Sequence, residues 1–469
     1  MKSENNSRRN FLRKAALGAA AIGLSPVTGA LANVETELSE NAYSSPPSKG
    51  KSVMGLRCEP LPTVRIGLIG LGMRGSEAVR RLIQIEGVEI KALSDRVPNN
   101  VKDASLQLKN AGKAEATEYL EEDDWKKICE RNDIDLIYTC TPWHLHTPIA
   151  VYAMKHGKHA AVEVPAALTV AECWELVNTA EETQRHCMML ENCCYDFFEM
   201  ATLNMARNGI FGEINYGEGA YNHDLRWLKF ASPEEGGYYK RWRLEYSKYH
   251  TGNLYPTHGL GPVAQIMGIN RGDRFDFLTS NSTAQKGLTL YAIEKFGKDS
   301  ADARQEYKLG DMNTTILHTV NGKMIQVQHD TTSPRPYSRI HMVSGTKGFA
   351  VKYPDESIAL EPAGHTALKK EDYDLLMQKW EHPLARQIGE KARQVGGHGG
   401  MDCIMDYRLI HCLRNGLPLD QDVYDAAAWS CVIELSEKSV LGNGSSQVVP
   451  DFTRGAWKDA KPWPVVTIE

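Results

Sequence analysis

The sequence predicts an α/β fold in which a doubly wound parallel sheet is followed by an α+β region built on a mostly antiparallel sheet. Three observations carry this. A glycine-rich turn, Gly70-Leu71-Gly72-Met73-Arg74-Gly75, directly follows an apolar, β-branched run and opens a stretch with helical spacing. Strand-like and helix-like segments then alternate to about residue 192, as in a parallel sheet with crossover helices. From Cys193 the period changes to short strands joined by tight turns, among them Val320-Asn321-Gly322-Lys323, where Asn-Gly tolerates positive φ and favours a hairpin. Composition agrees: the 469 residues are 42% hydrophobic and 24% charged with a net charge of -5, an ordinary globular balance that excludes a disordered or collagenous chain. There is no basic domain or long Lys/Arg run, which argues against a nucleic-acid partner. The 10 cysteines include no CxxC pair, and no His/Cys/Asp/Glu set has convincing metal-ligand spacing, so no metal is expected.

The first segment reads as an address. Ser7-Arg8-Arg9-Asn10-Phe11-Leu12-Arg13-Lys14 precedes an apolar Ala/Gly-rich run from Ala15 to about Leu24, and Ala30-Leu31-Ala32 offers small residues at a cleavage spacing. Residues 1–32 are therefore expected to be a twin-arginine export signal, with the mature protein in the periplasm. The apolar run is too short to span a bilayer, and no other stretch reads as transmembrane. Residues 33–62 are rich in Ser, Pro, Glu and Asn without hydrophobic periodicity and read as a linker or extended arm.

Residues 63–192 read as a Rossmann domain. Val64 to Gly70 is the first strand; Gly70 permits the tight turn, Gly72 lets the backbone approach a pyrophosphate, and Gly75 lets the helix of Ser76 to Ile85 pack close. The N-terminus of that helix supplies free N–H groups for the phosphates, and Met73 and Arg74, in the turn ahead of it, are further cofactor candidates. The second strand, Val88 to Leu93, ends in Ser94-Asp95, roughly twenty residues past the last glycine, where a carboxylate accepts hydrogen bonds from the adenosine ribose and favours NAD over NADP. The charge run Glu121 to Lys127 reads as a solvated helix start. A strand at Ile134 to Thr141 ends in Pro142-Trp143-His144-Leu145-His146; a helix follows at Ala150 to His156. A strand at His159 to Val164 ends in Glu163-Val164-Pro165, and a helix at Val170 to Gln184 leads to a strand at Cys187 to Glu191 that ends in Asn192. Ligands bind at the carboxyl ends of strands in such sheets, which makes Trp143, His144, His146, Glu163, Val164 and Asn192 candidates for the cofactor site.

Residues 193–469 read as the second domain. Strands are expected at Ile214 to Asn222, Asp276 to Asn281, Met312 to Val320, Lys323 to Asp330, Arg339 to Gly345 and Gly348 to Tyr353. Long helices are expected at Met401 to Asn415 and Val423 to Val440. His258 stands in a Gly/Pro-rich turn that opens a helix at Pro262 to Met267, and its residue type suits general acid–base work near neutrality. His398, in a glycine-rich loop, and the pair His223-Asp224 are read as structural.

The glycine fingerprint, Thr141-Pro142 with His146, and the Glu-x-Pro turn at Glu163 together resemble the glucose–fructose oxidoreductase/inositol dehydrogenase family, which joins a Rossmann domain to an open, mostly antiparallel sheet. Two departures stand out: Val164 replaces the usual Lys of that turn, and Leu254 stands four residues before His258, where the family carries Asp. A narrower resemblance accounts for both. Gly219-Ala220-Tyr221, Tyr238 through Arg243, and Gly252-Asn253-Leu254-Tyr255-Pro256-Thr257-His258 look like glycoside hydrolase family 109, whose members are NAD-dependent α-N-acetylgalactosaminidases, often exported.

That resemblance implies NAD as a bound cofactor and a glycan or glycoconjugate as substrate. Its route is oxidation at the sugar C3, loss of the C2 proton and the aglycone, addition of water, and return of the hydride; NAD-dependent glycosidases are known exceptions to the two-carboxylate rule. It implies His258 and Tyr255 as catalytic residues that also touch the cofactor, Arg241 as a further cofactor contact, and Tyr221, Tyr255 and Tyr337 as substrate contacts. A homo-oligomer is compatible with it. Two other readings stay open: a sugar oxidoreductase with net turnover of NAD, against which the missing Lys and Asp argue, and a non-catalytic sugar-binding protein that retains NAD.

Overall fold

A computed structural model describes residues 46–48, 50–363 and 365–468. The expected export signal lies outside them. The described part of the expected arm lies along the body: the Val53 amide donates to the Tyr424 hydroxyl at 3.1 Å and the Leu61 amide to the Leu413 carbonyl at 3.1 Å.

The first sheet has six parallel strands in the order β3-β2-β1-β4-β5-β6. They are β1 (Val64–Ile69), β2 (Val88–Ser94), β3 (Thr117–Tyr119), β4 (Leu136–Thr139), β5 (His159–Val162) and β6 (Cys187–Met189). β1, β4, β5 and β6 are apolar almost throughout and nearly all buried, as strands covered by helices on both faces must be. The chain order reverses between β1 and β4, so a cleft opens at their carboxyl ends. The helix after the glycine turn spans Met73–Leu82 rather than Ser76 to Ile85, because Met73 and Arg74 already continue the helical path beyond Gly72. A helix at Pro98–Asn110 went unread in the sequence. Only Val101, Ala104 and Leu108 of it are buried, too thin an apolar stripe to stand out.

The second sheet has eight strands in the order β13-β12-β11-β7-β10-β9-β8-β14. These are β7 (Ile214–Asn222), β8 (Phe275–Ser282), β9 (Asn313–Thr319), β10 (Met324–Asp330), β11 (Met342–Gly345), β12 (Gly348–Val351), β13 (Ser357–Leu360) and β14 (Gln447–Val448). β7 and β10 pair parallel and every other neighbouring pair is antiparallel, so the sheet is mixed but mostly antiparallel, as expected. The β9–β10 hairpin turns at Asn321-Gly322, with Gly322 alone taking a positive φ, of 83°. β13 and β14 were not read in the sequence. The single long helix expected at Val423 to Val440 is two, Val423–Ser430 and Val432–Leu441, broken at Cys431.

One helix joins the two sheets. It runs Thr257–Met267, not Pro262 to Met267, and Pro262 lies inside it. Proline reads as a helix start because the first turn needs no N–H; here its missing donor leaves the His258 carbonyl without the usual partner four residues on. His258 is therefore in the first turn of the helix, not in a loop before it. The helix crosses β7 backbone to backbone: a Cβ at Gly219 would lie 2.1 Å from the Gly259 carbonyl oxygen, and one at Gly259 would lie 2.2 Å from the Ala220 nitrogen. Two facing glycines let His258 and Tyr221 approach each other.

Among the described residues no helix is long and apolar enough to cross a membrane. The ten cysteines are free thiols, most of them buried.

Candidate active site

The carboxyl edge of the parallel sheet holds most of the candidate cofactor residues. Gly70 adopts φ 84°, and a Cβ there would lie 2.8 Å from the Cys140 carbonyl carbon. A Cβ at Gly75 would lie 1.8 Å from the Gly70 oxygen, so both positions exclude a side chain. Gly72 differs: it is exposed, and a Cβ would meet nothing within 4 Å. The following helix has no side-chain cap and no acidic residue in its first turn, which leaves its positive end and free amides facing that open space. Met73, 46% exposed, borders it. At the end of β2 the Asp95 carboxylate accepts from the Leu71 amide at 2.6 Å and the Val97 amide at 2.8 Å. Each oxygen keeps a lone pair for a ribose hydroxyl. Arg96, the neighbouring cation that would suit a 2′-phosphate, pairs with Glu122 at 3.0 Å. The turn thus fits the pyrophosphate and ribose of NAD.

The turns after β4, β5 and β6 are tied together. His146 is buried, with Nδ1 2.7 Å from the Pro165 carbonyl and Nε2 2.7 Å from the Thr141 carbonyl. It braces the two turns, and burial pushes its pKa down. Glu163 accepts from Arg74 Nε at 2.9 Å, and Val164 beside it is buried. Arg74 Nη1 reaches Asp402 at 2.9 Å, Asn192 Nδ2 donates to the same carboxylate, and His398 Nδ1 lies 2.9 Å from it. Below these, Arg81 and Tyr138 donate to Asp406 at 2.7 and 2.8 Å. Asp402 and Asp406, one turn apart on the helix Met401–Asn415, hold Arg74 and Arg81 of the glycine-turn helix.

The substrate side is aromatic. Trp143, buried, stacks on Tyr255 with ring centres 5.8 Å apart and meets the Trp242 and Tyr246 rings at 5.0 and 4.9 Å. His144, next to it, is exposed. Tyr255 lies 4.6 Å from Tyr221 and 4.9 Å from His258, while Tyr221 lies 5.4 Å from His258 and 6.2 Å from Tyr337. A bridge between Asn222 and Ser338 sets Tyr337 beside the end of β7, and Arg339 donates to its hydroxyl at 3.0 Å. His223 extends the rim, 5.0 Å from Tyr337. Burial pushes the Tyr255 and Tyr221 phenols above their ordinary range, with Arg243 pulling the other way, so both remain hydrogen-bond donors at neutral pH. Arg243 lies over the Tyr255 ring at 4.8 Å and the Trp143 ring at 5.2 Å. His258 Nδ1 donates to Glu191 Oε1 at 2.7 Å; Glu191 is fully buried at the end of β6.

Folding thus gathers Tyr221, Tyr255, His258 and Tyr337 into one cluster with Trp143, and lines up Gly70, Gly72, Gly75, Asp95, Glu163 and Asn192 along one sheet edge. Arg241 is not in that cluster: it pairs with Asp302 at 2.8 Å and lies over Phe230. Lys240 and Arg241 both take positive φ, 50° and 51°, and this kink turns Arg243, two residues on, into the cluster instead. Sequence reading also passed over Glu191 and Asp402, since nothing local marks a carboxylate that will be buried beside a distant cation. Chain spacing shows no metal set, yet among the described residues folding brings two triples of ligand-type atoms within 4.8 Å: Glu191, Cys193 and His258, and Glu77, His398 and Asp402. In the first the carboxylate already accepts from His258, and in the second Arg74 lies 2.9 Å from Asp402.

Comparison with known proteins decides the family. Residues 64–191 match the oxidoreductase family with the NAD-binding Rossmann fold, and residues 195–459 match the C-terminal domain of glycosyl hydrolase 109. The chain belongs to glycoside hydrolase family 109. It is 57% identical over 407 residues to an α-N-acetylgalactosaminidase of Bacteroides fragilis, covering 87% of this chain and 96% of that one. A family 109 protein of Shewanella pealeana is 47% identical over 465 residues, covering 98% and 99%. Among solved structures, an oxidoreductase domain protein from Kribbella flavida shares the fold, with a TM-score of 0.61 at 20% identity, covering 83% of this chain and all of that one. Levoglucosan dehydrogenase in complex with NADH matches with a TM-score of 0.61 at 18% identity, covering 83% and 99%. The family 109 match spans Tyr221, Tyr255, His258 and Tyr337, and the Rossmann match spans the glycine turn and Trp143.

Proposed function

We propose that this family 109 protein is an exported glycosidase that removes terminal α-linked N-acetylgalactosamine, with NAD as resident cofactor, by oxidation, elimination, water addition and reduction. The observation that carries the reading is the 57% identity to an α-N-acetylgalactosaminidase across 87% of the chain. The site supports the route. Two carboxylates beside the aromatic cluster are both committed, Glu163 to Arg74 and Glu191 to His258, so neither is free to serve as an ordinary glycosidase acid or nucleophile.

The open turn at Gly72, the uncapped helix after it and Asp95 would hold NAD, and Trp143 and Glu163 stand where its nicotinamide end would lie. When bound, NAD supplies a hydride acceptor and donor for the sugar. Oxidation at the sugar C3 acidifies the C2 hydrogen. His258 takes that proton at Nε2 as the C1–O bond breaks and the aglycone departs with the bonding pair. Water then adds at C1, its other proton going to the departed aglycone, and His258, whose proton has meanwhile exchanged with solvent, protonates C2. The Tyr255 and Tyr221 phenols, kept protonated by burial, donate to sugar oxygens and orient the ring. Trp143 and the tyrosine rings offer apolar faces to the sugar and exclude water.

Incubation with p-nitrophenyl α-N-acetylgalactosaminide should release nitrophenol without added NAD, and denaturation should release NAD(H) in about one-to-one amount. Steady oxidation of the sugar with accumulating NADH and no nitrophenol would overturn this reading in favour of a net oxidoreductase. Export rests on Arg8 and Arg9 ahead of the apolar run. Replacing both by lysine should trap the precursor in the cytoplasm, and an unchanged periplasmic yield would refute the twin-arginine route.

A further inference from the structure

His258 carries its Nδ1 proton to a carboxylate that the sequence places 67 residues away. Glu191 has no exposed surface, and His258 is its ion-pair partner among the described residues. Burial pushes the Glu191 carboxyl up; His258 beside it and the Cys193 amide, which donates at 3.1 Å, more than offset this and hold it below the ordinary carboxylate range. It is therefore an anion at neutral pH. The position is also held: Gln421 Nε2 donates to the Glu191 carbonyl at 3.0 Å. The His258 helix passes so close that a Cβ at Gly261 would lie 2.9 Å from Glu191 Cγ. The sequence-local alternative, a carboxylate four residues before His258, does not exist here, because that residue is Leu254 and is buried.

We infer that Glu191 is the positioning residue for His258: it fixes the Nδ1–H tautomer, leaves the Nε2 lone pair for the sugar C2 proton, and is the counter-ion when the ring becomes an imidazolium. Which ring nitrogen is free in a neutral imidazole is set by the hydrogen bond the other one makes. A third group that orients the base and stabilises its charged form is the general logic of base-assisted sites. His258 retains 13% side-chain exposure while Glu191 retains none, so the base reaches the cleft and the carboxylate does not. Glu191 acts through His258 and touches no substrate. The inference rests on His258 being the base of the proposed elimination.

Glu191→Gln keeps the volume and removes the charge. The test reads three quantities on the NAD-loaded enzyme: nitrophenol release, exchange of the substrate C2 hydrogen with solvent deuterium, and the absorbance of reduced nicotinamide formed on mixing with substrate. The expected result is a fall in kcat of about 10- to 100-fold with KM little changed, a matching fall in C2 exchange, and no change in nicotinamide reduction or bound NAD. Glu191→Asp should recover part of the exchange rate. Should Glu191→Gln fail to fold, Glu191→Asp carries the test, with exchange falling while reduction holds. Undiminished exchange in the variants overturns the inference, as does an equal loss of reduction and exchange, which would mark a merely structural role. A wild-type enzyme that releases nitrophenol without exchanging C2 hydrogen defeats the elimination reading itself, so the two failures are distinguishable.

Discussion

His258→Ala is expected to lower glycoside cleavage by roughly two to four orders of magnitude, the usual size of a lost general base, while the protein keeps its NAD. The separation follows from where the groups come from. The glycine turn, Asp95 and the β4 and β5 turns belong to the parallel sheet, whereas His258 rides on the helix that crosses β7. Removing its side chain takes away none of the groups that would hold the pyrophosphate and ribose. It also leaves Glu191 buried without its partner, so a lower melting temperature is expected alongside the activity loss. The measurement is nitrophenol release together with NAD(H) content. A deuterium at the substrate C2 should slow the wild-type reaction where that proton transfer limits the rate. Near wild-type cleavage by His258→Ala would refute the assigned role and move it to Tyr255, 4.9 Å away between ring centres.

Asp402→Ala should cost about 3–5 kcal/mol of stability, the usual result of removing one member of a buried charged set. Asp402 has no exposed surface, and it receives Arg74 at 2.9 Å, Arg81 at 3.5 Å, His398 Nδ1 at 2.9 Å and the Asn192 amide. Arg81 is itself fully buried and would keep only Asp406 beside it, with Glu77 near its other edge. The loss should also reach the cofactor, because Arg74 at the start of the glycine-turn helix then keeps, among the described residues, Glu163, Glu77 and His398 but loses its one fully buried carboxylate. The expected result is a lower unfolding midpoint in denaturant together with a reduced amount of NAD(H) retained on purification. Unaltered stability would mean that the four groups around Asp402 repack or find water without cost.

What was legible in the sequence and what was not divides along the range of the interaction. The glycine turn, the strand-to-helix alternation and the Asn-Gly hairpin are local: each is dictated by the φ a residue tolerates or by the period of its apolar positions, and both sheets follow from them. The same holds for Asp95, whose distance from the last glycine is set by one helix and one strand. The helix boundary at Thr257 was misread because Pro262 carries a strong local signal for a helix start, while burial against β7 extends the helix through it. Arg243, which the sequence reading did not single out, reaches the aromatic cluster through a kink at Lys240 and Arg241, in a conformation that neither residue type announces.

The sequence by itself determined that the chain has a dinucleotide-binding sheet followed by a mostly antiparallel one, and it offered Tyr255 and His258, three residues apart, as candidates whose rings folding sets 4.9 Å apart. Only the tertiary structure decided what stands behind them. Glu191 and His258 are 67 residues apart, and Arg74 and Asp402 are 328. No period or turn rule links residues at such separations. Their pairing comes from the crossing of whole elements: the Thr257–Met267 helix passes Glu191 at Gly261, and the Met401–Asn415 helix packs on the glycine-turn helix. A carboxylate and a cation that lose water together at such a crossing must be matched to each other, and that match exists only once the chain has closed.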